Sequence, residues 1–182
     1  MRLAGVVCRR GQGIAGKVNM VRWVKLFGDQ YLGFWVLGLA LFALQEIPYM
    51  IMPLVRPEPN PIMNMRESSI FLEICEKALG SLCIFLMTFV VHKNAVLFSA
   101  ADRSEKIFLA LTAAVLLANF IGWALYFTGH QSVFVMMFFI VALPPLYYVF
   151  IGLWRKNIIL TIAGCMFLIV HFIHVSGNLR AE

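Results

Sequence analysis

The sequence predicts an all-α integral membrane bundle of five transmembrane helices, with the N-terminus inside and the C-terminus outside. Three observations predict it. Of 182 residues, 62% are hydrophobic and 13% are charged, where a water-soluble domain carries about a quarter charged residues. Five stretches reach or approach the roughly 20 apolar residues that cross about 30 Å of hydrocarbon. The 15 Lys and Arg residues lie mostly on one side of those stretches.

Residues 1–30 read as a basic cytoplasmic arm carrying Arg2, Arg9, Arg10, Lys17, Arg22 and Lys25. Such a run points to anionic lipid headgroups rather than nucleic acid, because an apolar span follows it directly. From Val18 to Asp29, polar residues recur at Asn19, Arg22, Lys25 and Asp29 among Met20, Val21, Trp23, Val24 and Phe27. This period predicts a short amphipathic helix lying on the membrane surface, with Trp23 at headgroup level. The arm holds no apolar run of signal-peptide length, so no cleaved signal is expected. Met20 offers an alternative start to Met1.

The transmembrane domain reads as residues 31–178, with spans 31–55, 71–91, 107–127, 133–153 and 158–175, then a short outer tail 179–182. The second span is marginal, because Glu73, Glu76 and Lys77 occupy its start and only Ala78–Val91 is uncharged. Orientation follows from the resistance of basic residues to translocation. Eleven basic residues fall on the N-terminal side: the arm, Lys93, Arg103, Lys106, Arg155 and Lys156. Four fall opposite: Arg56, Arg66, Lys77 and Arg180. The expected location is the cell membrane.

Within the spans, three packing features stand out. Ala110, Ala114, Ala118 and Gly122 recur every four residues, a stripe that would let a neighbouring helix approach. Pro144 and Pro145 predict a kink in the fourth span, since missing N–H groups leave the carbonyls of Ile140 and Val141 without helical partners. The segment Arg56 to Asn64, with Pro57, Pro59 and Pro61, should be extended, and Asn64 with Glu67 forms a capping box for the second span. Glu73 and Lys77, four apart, are placed to pair.

Chemistry is expected where charge is expensive. Glu46 is a carboxyl inside a span, flanked by Gln45, and such residues mark function by default. Alternating topology places Glu73, Glu76, Asn119, Trp123, Tyr126, His171 and His174 near the same outer side. A polar pocket opening outward, built by spans one, two, three and five, is the resulting expectation. It would bind or transport a small solute or lipid-like ligand. Two alternatives stand beside it. One is a membrane metalloenzyme in which Glu46, His171 and His174 hold a divalent metal, imidazole and carboxylate being ordinary ligands. The other is an accessory subunit of a membrane complex or homo-oligomer, associating through the small-residue stripe. The sequence has no HExxH, ExxH, GxSxG or GxxxxGK[ST] pattern, and the cysteines Cys8, Cys75, Cys83 and Cys165 show no CxxC spacing.

Overall fold

A computed structural model describes residues 22–180. In chain order the elements are β1 (Arg22–Phe27), β2 (Gln30–Gly33), α1 (Val36–Val55), α2 (Pro61–Asn64), α3 (Ile70–Phe89), β3 (Val90–His92), α4 (Arg103–Phe127), a π-helical segment (Val135–Ala142), α5 (Leu143–Trp154) and α6 (Ile158–Arg180). The fold is mostly helical. Four helices are long and apolar enough to cross a membrane: α1, α4, the continuous Val135–Trp154 helix and α6. The 20-residue α3 has the length but carries Glu73, Glu76 and Lys77 in its first half. The Val135–Trp154 helix is central: 67% of its apolar stretch is buried, against 22% to 28% in the other three.

The expected surface helix of Val18–Asp29 is not formed. Residues 18–21 lie outside those described, and Arg22–Phe27 are a strand. The cause is the Gly28-Asp29 dipeptide, where Gly28 adopts φ 51° and closes a two-residue hairpin between Phe27 and Gln30. Lys25 pairs with Tyr31, and β3, which continues straight from α3, adds to the far side of β2 with Tyr31 opposite Val91. A small antiparallel sheet therefore caps one end of an otherwise helical bundle, and α1 begins at Val36 instead of Tyr31. At the other terminus α6 runs to Arg180, into the segment expected to be a tail.

One buried side chain ties this capped end together. Asn157 donates from Nδ2 to the Leu86 and Val90 carbonyls at 3.0 and 2.9 Å, and its Oδ1 accepts from Leu160 N at 3.1 Å. It thus gives the Val90 carbonyl just beyond α3 a donor, adds a second donor to the Leu86 carbonyl and caps the Leu160 N–H in the first turn of α6. Around it, Trp35 Nε1 donates to Leu97 O (2.8 Å), Trp154 Nε1 to Ser99 O (2.7 Å) and Gln30 Nε2 to Lys156 O (2.9 Å). The Arg155 guanidinium lies 4.5 Å from the Trp35 ring centre and donates to Val96 O. Lys156 bridges Asp102 and Glu105 at 3.0 and 3.1 Å. Asp102 also caps α4 through Glu105 N, and that hydrogen bond, with Lys156, holds its carboxyl below the usual range.

The double proline acts differently from a simple kink. The turns before it are π-helical, with hydrogen bonds reaching five residues instead of four. In that register the carbonyls facing Pro144 and Pro145 are those of Phe139 and Ile140. Both find side-chain donors on other helices: Asn119 Nδ2 donates to Phe139 O at 2.8 Å, and Tyr49 Oη to Ile140 O at 3.4 Å.

The four-residue stripe of α4 does not form one packing face. Ala110 and Ala114 are exposed, Ala118 is partly buried and only Gly122 is buried. An α-helix turns about 100° per residue, so each four-residue step drifts about 40° and the stripe winds off the contact face. The buried face instead follows Thr112, Asn119, Gly122, Trp123 and Tyr126. Gly122 is a true close approach, since a Cβ there would lie 2.1 Å from Phe139 Cβ.

The loop after α1 also differs in detail. Pro48 and Pro53 both lie inside α1. Pro61–Asn64 form a helical turn, capped by Asn60 Oδ1 on Met63 N, with Pro61 in the first position it favours. Ser69, not Asn64, caps α3 by accepting from Leu72 N, which leaves Glu67 free to turn inward.

Candidate functional site

At the end of the bundle opposite the sheet, α3 and α6 exchange polar contacts. His171, His174 and Asn178 share one face of α6, since positions three, four and seven apart align on a helix. Facing them are Glu76 of α3 and Glu67 of the segment before it. His174 is 4% exposed and uses both ring nitrogens: Nδ1 lies 2.5 Å from Glu76 Oε2, and Nε2 lies 2.8 Å from Glu67 Oε2. Asn178 Oδ1 accepts from Ser68 N at 2.8 Å and its Nδ2 donates to Glu67 Oε2 at 3.3 Å, which fixes the Glu67 backbone and carboxylate together. The other Glu76 oxygen is 3.2 Å from His171 Nδ1. That contact is close enough for ion pairing but badly angled, so the buried His171 Nδ1 has no hydrogen bond.

The geometry fixes a proton count. A neutral imidazole donates at one nitrogen only, so two carboxylate contacts need an extra proton, on His174 or on one glutamic acid. Either arrangement leaves Glu67, His174 and Glu76 with one net negative charge.

This cluster walls a cavity of about 220 Å³, whose apolar sides include Met63, Met65, Ile140, Val141 and Val175. A second cavity, of about 180 Å³, lies deeper and is bounded by Gln45, Glu46, Tyr49, Tyr148, Phe167 and His171. Tyr49 and His171 border both. Glu46 stands nine residues before the end of α1, about 13 Å along the axis at 1.5 Å per residue.

The residues expected from sequence fall into three groups. Glu76, His171 and His174 come together, and Gln45 and Glu46 join them through the deeper cavity. Glu73 stays apart, pairing with Lys77 at 2.5 Å along α3. Asn119, Trp123 and Tyr126 line neither cavity. Asn119 holds Phe139 O, Trp123 stacks edge-on against Tyr49 at 4.7 Å, and Tyr126 Oη donates to Asn60 Oδ1 at 2.7 Å. They buttress the loop and the π segment. The cavity walls therefore come from α1, α3, the Val135–Trp154 helix and α6, with the prolines' helix in the place expected for α4: Ile140, Val141, Pro144 and Tyr148 face the cavities. Sequence reasoning missed Glu67 and Asn178. The spacing of Asn178 from His171 and His174 was the available signal.

Among the described residues, no three of His, Cys, Asp or Glu are arranged to hold a metal ion. Glu46 and His171 line the deeper cavity, while both nitrogens of His174 are turned to Glu67 and Glu76. Cys75, Cys83 and Cys165 are free thiols. Comparisons of the chain with protein-family models, curated proteins and solved structures found no match.

Proposed function

We propose that this is a five-span membrane protein, N-terminus inside, that binds or transports a small solute or lipid-like ligand through the paired cavities. The observation that carries the reading is the meeting of Glu46, Glu67, Glu76, His171 and His174 around two adjoining cavities between apolar helices. Ionisable groups are expensive inside a membrane and are kept where they do work. Apolar walls with a few convergent polar groups are the ordinary composition of a ligand site.

Counting α3 as the fifth span has geometric support. Its C-terminus meets Asn157 at the sheet end and its preceding segment meets Asn178 at the other, so it runs the full height of the bundle. The sheet end carries the basic majority, which favours the cytoplasmic side and anionic headgroups there. The cell membrane is the corresponding location.

The test is extraction. Protein purified in detergent is denatured, and released small molecules are identified by mass spectrometry beside a Met65→Trp variant, whose indole fills the outer cavity. A compound enriched in the wild type and lost from the folded variant is the expected result. No enrichment over the variant and over an unrelated membrane protein from the same host would sink the reading.

A further inference from the structure

We propose that the deeper cavity binds the head of a small protonated amine. This rests on the ligand-binding reading above and narrows its chemistry from solute in general to an organic ammonium ion bearing at least one N–H.

Four observations converge. The half-buried Glu46 carboxyl forms no hydrogen bond or ion pair with any described residue. Removing a carboxylate from water without a partner is costly, so the site calls for a compensating cation or a proton. Next to it, Gln45 is 2% exposed and its Oε1 has no donor. A buried acceptor without a donor is a deficit that an N–H repairs. Around these acceptors stand the rings of Tyr49, Tyr148 and Phe167, with Tyr148 and Phe167 centred 6.3 Å apart. Aromatic faces attract cations through the ring quadrupole. Finally, neither cavity is lined by Lys or Arg, and the outer one carries the carboxyls of Glu67 and Glu76. A cation in either cavity is therefore met by carboxylates and by no basic Lys or Arg side chain.

Each feature selects against something. With Glu46 ionised, a carboxylate or phosphate head is repelled, and a neutral alcohol satisfies Gln45 but leaves the charge unmatched. A quaternary ammonium matches the charge and the rings but offers Gln45 no proton. The volume of about 180 Å³ is below the 300–1,000 Å³ usual for drug-sized ligands, so the site suits a head group or a compact amine.

The experiment is calorimetric titration of the full-length protein in nanodiscs at pH 7.5 with n-butylamine, which is an ammonium ion there, and with its neutral counterpart 1-butanol, at matched ionic strength. The expected result is binding of n-butylammonium at least tenfold tighter than 1-butanol, and a loss of at least tenfold in Glu46→Gln. That substitution keeps the shape and hydrogen-bonding capacity of the protonated acid, and its melting profile reports folding. Should the variant not fold, the wild-type contrast between amine and alcohol decides alone. Equal binding of the alcohol, an unchanged affinity in the folded variant, or no binding at millimolar amine would overturn the proposal. If the extracted compound is neutral while the amine does not bind, the inference fails and the ligand-binding reading stands. If nothing is extracted and nothing binds, both fall.

Discussion

The two ends of the bundle differ in what their buried polar side chains bond to, the exposed Lys156 pair with Asp102 and Glu105 aside. At the sheet end, Trp35, Trp154, Gln30, Arg155 and Asn157 all donate to backbone carbonyls. At the opposite end, Glu67, Glu76, His174 and Asn178 bond mainly to one another. Side chain to backbone contacts fix helix ends whatever their surroundings. Side chain to side chain contacts among ionisable groups can be exchanged, because each proton or cation that enters alters which pairs hold. The difference separates a scaffold from a place where binding changes something.

The sharpest way to break the comparison is to ask whether the ends face opposite sides of the membrane. In a background without native cysteines, a cysteine at exposed Ser132 should be labelled by an impermeant reagent in intact cells. One at exposed Asn94 should be labelled only after lysis. Labelling of both in intact cells would end the N-inside, five-span reading. The effect is all or none.

Next in size is Asn157→Ala. It orphans the Val90 carbonyl and the Leu160 N–H and leaves the Leu86 carbonyl with Val90 N alone, and each unsatisfied buried group costs about 1–3 kcal/mol. A loss of about 3 kcal/mol or more, seen as a lower melting temperature in detergent, is expected. Ligand affinity in the fraction that stays folded should be unchanged, because the cavities lie at the other end. A variant that melts normally would show that the sheet end is not the scaffold.

The smallest effect sharpens the account of the middle. Gly122→Ala places a methyl against Phe139, an overpacking that costs about 1–3 kcal/mol, whereas Ala114→Leu on the exposed face of α4 should change the melting temperature little. Equal sensitivity would restore the four-residue stripe as a packing face.

How much was legible in the sequence follows from the same physics. Length and hydropathy disclose α1, α4, the Val135–Trp154 helix and α6, because lipid demands long apolar runs. The hairpin was hidden for a specific reason. Every residue of β1 is exposed, so no alternation of apolar and polar residues was imposed, and the chance spacing of Asn19, Arg22, Lys25 and Asp29 imitates a helix. Gly28-Asp29 between Phe27 and Gln30 was the stronger signal. The polar groups Glu46, Glu76, His171 and His174 stood out because each is anomalous in an apolar span. Which of them meet depends on helix rotation, and that is poorly encoded when lipid-facing and core-facing positions are both apolar. Asn119 was therefore assigned to the pocket while it serves the π segment.

The dependence of α3 on α6 has a consequence for how the chain is made. Its Glu76 is met by His174, 98 residues further on, and the carbonyl of Leu86 takes its second donor from Asn157, 71 residues further on. At a synthesis rate of about 5–20 residues per second, α3 leaves the ribosome roughly 5–20 s before its last partner exists. During that interval Glu73, Glu76 and Lys77 stand in its first half without any contact from α6. Assembly of this protein therefore closes from α6 back to α3, and a chain truncated before Asn157 lacks both Asn157 and the α6 histidines that α3 meets.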